Sequence, residues 1–178
     1  MGMCEIAVDY MDKQSTEIEK FAIELGEKLS ACHRTLAVAE SCTGGWLAKS
    51  ITDVAGSSHW FDRGIVTYSN QSKIDLVGVK PETLARFGAV SESVVKEMAL
   101  GLLACTTVDY TIAITGIAGP EGGSLEKPVG TVYFAWARRQ GDILVNRKTL
   151  QGDRAAVRCQ SIITALSQMA LMIEANCG

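Results

Sequence analysis

Two short glycine-bearing segments carry the side chains best suited to chemistry. The first is Glu40-Ser41-Cys42-Thr43-Gly44-Gly45, and the second runs from Thr115 through Gly116, Gly119, Pro120, Gly122 and Gly123 to Ser124. Each follows an apolar run that reads as a buried strand, Thr35 to Ala39 in one case and Tyr110 to Ile114 in the other. A serine held between strand and helix has free backbone N–H groups behind it. Such groups can hold a phosphate or the oxyanion of a tetrahedral intermediate. Ser41 therefore reads either as a nucleophile beside its own oxyanion hole or as a plain N-cap. The G-x-S-x-G spelling of a hydrolase elbow is absent. Cys42 is a rival nucleophile, but its side chain should point to the other side of the corner and pack.

A serine nucleophile needs a base. His33 lies at a helix end and His59 beside Trp60; neither belongs to a triad pattern, and both read as surface or packing residues. A lysine serves only if its pKa falls from ~10.4 toward neutrality, and a fall of about 3 units is a bias of roughly 4 kcal/mol against the charged form. Burial supplies such a bias. Lys49 and Lys73 are the candidates nearest in sequence, and the polar stretch Tyr68 to Ser72 could return Lys73 to a pocket. The second glycine-rich segment is long enough to be a functional loop or a flexible connector, and its glycines permit close backbone approach to a ligand. Arg154 could meet a phosphate there, or be a solvated first-turn charge.

The elements that must position these groups follow from periodicity. Ile18, Phe21, Ala22, Leu25 and Leu29 recur at helical spacing between Gln14 and Cys32, while residues 1–13 read as a loosely ordered extension of a single domain spanning 1–178. Trp60 to Ser69 reads as a strand, Asn70 to Val77 as one or two helical turns, and Pro81 suits the first turn of a helix through Phe87. Ser91 is a fitting N-cap for a helix through Cys105. Thr131 to Ala137 and Ile143 to Leu150 read as a hairpin, and Gly152-Asp153-Arg154 opens a last helix to about Glu174. Strands separated by helices imply parallel members covered on both faces, and the hairpin makes the sheet mixed. Sites in such sheets form at the carboxyl ends of the strands.

Composition narrows the function classes. The net charge is −3 and no stretch clusters Lys and Arg, so nucleic acid is not an expected partner. The six cysteines form no C-x-x-C pair and only two histidines are present, so no zinc site is expected. Helical surroundings at Cys32, Cys105 and Cys159 argue against a disulfide framework and for buried thiols in a reducing cytoplasm. Met1 to Tyr10 carries Glu5 and Asp9 and does not read as a signal peptide. No apolar run approaches the ~20 residues that span a bilayer, so the expectation is a soluble, cytoplasmic protein with no membrane partner. The apolar last helix and an exposed-looking Trp60 could serve a homodimer or higher homo-oligomer.

The blocks Ala39 to Gly45, Gly64 to Asn70 with Lys73, Gly88 to Ser91, Thr115 to Pro120 with Gly122-Gly123, Lys127 to Val132, and Gly152 to Arg154 resemble the CinA C-terminal domain family, the nicotinamide-nucleotide amidohydrolases, in that family's order. The resemblance runs from about Ile18 to Met172. It implies a three-layer α/β/α domain with a mixed, mostly parallel sheet. It also implies hydrolysis of the carboxamide of nicotinamide mononucleotide, a small-molecule nucleotide substrate, with no cofactor and no metal. The family motif places a catalytic serine at Ser41 and its lysine partner at Lys73, with Tyr68 orienting the pair or shuttling a proton. Backbone near Thr43, Gly44 and Gly45 would hold the oxyanion or an anionic group, and Thr115, Gly116, Gly119 and Arg154 the ribose and phosphate. Many relatives carry this domain behind a larger N-terminal one, and this chain looks like the stand-alone form. Two other readings are a non-catalytic nucleotide-binding module and a regulatory protein in competence or DNA repair. The intact Ser41, Tyr68 and Lys73 argue against the first, the missing basic stripe against direct DNA contact.

Overall fold

The computed structural model describes residues 2–177, with side chains from Ser15 onward. Helix α1 (Gly2–Ala31) is followed by β1 (Leu36–Glu40), α2 (Trp46–Thr52), a single 3-10 turn (Ser57–His59) and β2 (Phe61–Val66). Then come α3 (Asn70–Val77), α4 (Pro81–Phe87), α5 (Glu92–Ala104), β3 (Tyr110–Gly116), β4 (Thr131–Arg138), β5 (Ile143–Thr149) and α6 (Arg154–Glu174). Where the sequence suggests a loose extension over 1–13, the backbone of α1 is helical back to Gly2.

The five strands form one mixed sheet in the order β2-β1-β3-β4-β5. β1 pairs in parallel with β2 and β3, whereas β4 is antiparallel to both β3 and β5, so only β4 runs against the rest. The period of two along each strand sorts the side chains sharply. Leu36, Val38, Ile112, Ile114, Val132, Phe134 and Trp136 point to one face, where α1 and α6 cover them. Ala37, Ala39, Ala113, Ala135 and Ala137 pave the other, under α5 with Val94, Val95, Met98 and Leu102. Small side chains let α5 lie close to the sheet, and its own Gly101 lets it lie close to α3. A Cβ at Gly101 would fall 1.7 Å from the Val77 carbonyl oxygen.

Ser91 caps α5 and Asp153 caps α6, each side chain accepting from the third residue onward. β2 is shorter than its aromatic and β-branched run suggests. Ser69 forms a capping box with Ser72 and starts α3, so the chain must leave the sheet at Thr67.

Two expectations are corrected. Cys32 and Cys177 are joined as a disulfide, with Cα atoms 6.1 Å apart. Both lie just beyond the last turns of α1 and α6, Cys32 partly buried against the core and Cys177 exposed, and the packing of those helices brings the two ends together. Cys42 and Cys159 are buried thiols, and Cys105 is exposed. Trp60 is only 4 % exposed and belongs to the core, and the apolar stripe of α6 (Val157, Ile162, Ala165, Leu166, Met169, Ile173) is buried within this chain. Leu171 of the same helix stays exposed. α6 is long and apolar enough by composition to cross a bilayer, but half of its most apolar stretch is packed inside the fold.

Candidate active site

The carboxyl ends of β1, β2 and β3 lie side by side, and the chain turns at each of them. Ser41 leaves β1 with its N–H still bonded to Ile114 O of β3 at 3.0 Å. Thr67 leaves β2 with its N–H on Glu40 O at 2.7 Å and its hydroxyl on the same oxygen at 3.2 Å. These bonds fix the two turns relative to each other.

α3 then delivers Lys73 into the gap. Its Nζ lies 3.1 Å from Ser41 Oγ and donates to Thr67 O at 2.6 Å. Lys73 is 1 % exposed and Ser41 8 %. Burial pushes the Lys73 amine below the usual lysine range, against a smaller opposing influence of Cys42. Lys49, the other candidate base, is exposed and paired with Asp53. Cys42 packs away from the corner, and burial pushes its thiol up to about 11, so it is not a thiolate at neutral pH.

Sequence reasoning missed what caps α2. Neither Ser41 nor any free N–H row does this: the N-cap position is Gly45, and the anion is Glu40. The fully buried Glu40 carboxylate accepts from Gly45 N–H at 3.0 Å, Leu47 N–H at 3.0 Å and Ala48 N–H at 2.8 Å. The Gly44 N–H is taken by Ser41 O at 3.1 Å. Gly44 and Gly45 are thus corrected as anion donors, because a side chain of the strand reaches the helix end first. The N–H groups of Cys42 and Thr43 meet no acceptor of another residue among the described residues; the Cys42 N–H faces its own thiol. Thr43 also carries a buried Oγ1 without a partner, and its carbonyl accepts from Arg158 Nη2 at 2.8 Å. Arg158, lying over the Trp46 ring at 5.3 Å, was not singled out from sequence. Its place four residues after Arg154, on the same helix face, is the signal that would have found it.

The second glycine-rich segment, residues 117–130, arches from β3 to β4. Arg154 joins it to the β2–α3 turn: Nη1 donates to Gly119 O at 2.9 Å and Nη2 to Tyr68 OH at 3.2 Å. Tyr68 is 64 % exposed. Its hydroxyl meets Arg154; no hydrogen bond joins it to Ser41 or Lys73 among the described residues. Thr115 is buried on β3 with its hydroxyl on Ala89 O at 2.9 Å, so its side chain braces the 88–91 turn. Gly116 has no room for a side chain; a Cβ would stand 2.8 Å from Val132 and 3.1 Å from Cys42 Sγ. Ser41, Lys73, Tyr68, Gly119 and Arg154 thus share one end of the sheet. A cavity of about 250 Å³ at the other end is lined by Arg34, Asp109 and Arg139. These are held in structural bonds, Arg34 to Asp109 and Arg139 to three carbonyls.

Residues 18–173 match the CinA C-terminal domain family. The chain is 53 % identical over 154 residues to the nicotinamide-nucleotide amidohydrolase PncC of Escherichia coli (strain K12), covering 86 % of this chain and 93 % of that protein. Among solved structures it resembles the competence/damage inducible protein CihA from Agrobacterium tumefaciens, with a TM-score of 0.85 and 41 % identity over 89 % of this chain and 96 % of that one. The competence damage-inducible protein A from Klebsiella pneumoniae subsp. pneumoniae is similar at a TM-score of 0.85 and 38 % identity, over 88 % of this chain and 97 % of that one. With the motif blocks gathered at one sheet end and nearly the whole fold shared, the chain belongs to the CinA C-terminal domain family.

Proposed function

We propose that this protein hydrolyses the carboxamide of nicotinamide mononucleotide, releasing ammonia and nicotinate mononucleotide, with Ser41 as nucleophile and Lys73 as its base. The observation that carries this reading is a buried amine 3.1 Å from a serine hydroxyl at a strand-to-helix corner. The Escherichia coli relative's name, a nicotinamide-nucleotide amidohydrolase, supports the substrate.

A neutral amine has two N–H groups and one lone pair. The Thr67 carbonyl takes one N–H at 2.6 Å, which turns the lone pair toward Ser41 Oγ. Lys73 removes the Ser41 proton as Oγ attacks the amide carbon, and the free N–H groups of Cys42 and Thr43 receive the developing oxyanion. Protonated Lys73 gives its proton to the departing nitrogen, ammonia leaves, and a nicotinoyl ester remains on Ser41. Lys73 then deprotonates a water that cleaves the ester, which returns the serine. The scheme uses no metal or cofactor. Arg154, bridging Tyr68 and Gly119, lies where it can hold the substrate's phosphate. The reaction returns a pyridine nucleotide to use in salvage, inside the cell.

Ammonia release from nicotinamide mononucleotide tests the reading. The wild-type protein should turn over, and Ser41→Ala should lose about 10³-fold or more in kcat/KM while keeping its fold. Unchanged turnover in Ser41→Ala would sink the serine mechanism.

A further inference from the structure

We propose that Glu40 is a positioning residue for this reaction, an internal anion that shapes the oxyanion corner; the inference rests on the serine mechanism just given. Glu40 touches neither Ser41 Oγ nor Lys73 with its carboxylate, yet it is tied to both by short paths. Its carboxylate gathers three N–H groups at the start of α2, 2.8–3.0 Å away. Its own carbonyl gathers the N–H and hydroxyl of Thr67, whose carbonyl holds Lys73. One residue thereby fixes the helix on one side of Ser41 and the lysine on the other.

The carboxylate also selects which amides stay open. An α/β corner of this kind ordinarily offers its helix N-terminus to an anion. Here Gly45, Leu47 and Ala48 are already occupied, and Gly44 closes a turn onto Ser41 O. Only Cys42 and Thr43, directly after the nucleophile, keep their N–H groups free of any acceptor from another of the described residues. A negative charge placed at the helix start by the protein itself keeps the substrate's phosphate from binding there. The phosphate is left to Arg154, and the amide carbon to Ser41.

Replacing Glu40 by Gln removes the charge, keeps the size and turns an NH2 group toward N–H donors. Two donors then face each other across a buried space. The Cys42-Thr43 turn should lose its alignment with the oxyanion rather than its affinity for the ground state. The expected result for Glu40→Gln is a fall in kcat of at least about tenfold, with KM changed by less than about threefold. The alkaline rise of kcat with pH, which reports the amine of Lys73, should keep its midpoint within about half a pH unit. Ile173→Val, a core change at the far end of α6, serves as a control that lowers stability without lowering kcat per folded molecule. Labelling of Ser41 by a fluorophosphonate needs the same oxyanion geometry but no nucleotide, and should slow at least about tenfold in Glu40→Gln. Equal kcat and equal labelling in wild type and Glu40→Gln would overturn the proposal, as would a loss explained by the unfolded fraction or a displaced midpoint. A wild-type protein that labels at Ser41 but releases no ammonia would instead sink the substrate reading and leave the labelling comparison to decide on Glu40.

Discussion

Lys73 Nζ stands 3.1 Å from Ser41 Oγ across 32 residues of sequence, one carried by a strand-to-helix corner and the other by the first turn of α3. The pair is made by β1 and β2 running in parallel, so that their exits open at the same edge.

Burial holds the Lys73 amine below the ordinary lysine range. Between that lowered value and the unfolded value near ~10.4, the unfolded chain binds a proton that the folded chain does not. This group's contribution to stability is therefore complete above the unfolded value and is lost as pH falls through the folded one. Lys73→Met removes the burden. It should be inactive yet more stable than wild type at pH 7, by about 1–2 kcal/mol, with the gap closing as pH approaches ~10. Thermal unfolding at several pH values checks this; a Met variant no more stable at pH 7 means that burial does not hold the amine below the ordinary lysine range.

Arg154 and Tyr68 separate two roles for the tyrosine. If the guanidinium holds phosphate and Tyr68 steadies it, Arg154→Ala should raise KM about 10–100-fold, as expected for lost charge-assisted bonds. Tyr68→Phe should raise KM only severalfold with kcat nearly unchanged. A large drop of kcat in Tyr68→Phe would instead favour a proton-shuttling tyrosine. Steady-state kinetics on nicotinamide mononucleotide decides between them.

Gly101 connects packing to chemistry. A methyl group there would meet the Val77 carbonyl of α3, the helix that carries Lys73. Gly101→Ala must push α3 outward, costing about 1–3 kcal/mol, and should lower kcat although the residue touches nothing in the site. Denaturant unfolding and turnover measured together test the pair of effects.

The Cys32–Cys177 bond ties the ends of α1 and α6, at the opposite end of the sheet from Ser41. Cys177→Ser should cost about 2–4 kcal/mol of stability under oxidising conditions and leave kcat and KM unchanged. Under a strong reductant the two proteins should unfold alike. Equal stability without reductant would show that the bond does not form.

Much of this was legible in the sequence because the signals are local. Ser91 read as a cap and Gly152-Asp153-Arg154 as a helix opening from their own neighbours, and the strands from their apolar and β-branched runs; Ser69 read as the end of a strand, although it caps α3. The nucleophile was legible only as one of two readings of Ser41, and Lys73 as one of two lysines. The family motif, not the spacing, favoured Lys73. Glu40 was seen but given no role, since nothing local says that its side chain turns back along β1 to the next helix. Cys32 and Cys177 lie 145 residues apart, and only the packing of α1 on α6 makes them neighbours. Trp60 misled for a similar reason: a strand-edge tryptophan looks exposed until α1 covers it.

The reversal of β4 has an evolutionary reading. Because β3 and β4 are antiparallel, the segment between them starts and finishes at the same rim, its feet clasped by Ile117 N–H on Thr131 O and Gly130 N–H on Ile117 O, each at 2.8 Å. Gly119, Gly123 and Gly130 have no room for a side chain, but the exposed tip around Leu125 can change while the strands below keep their register. The canopy can thus be reshaped at its tip with the Ser41–Lys73 pair underneath left as it stands.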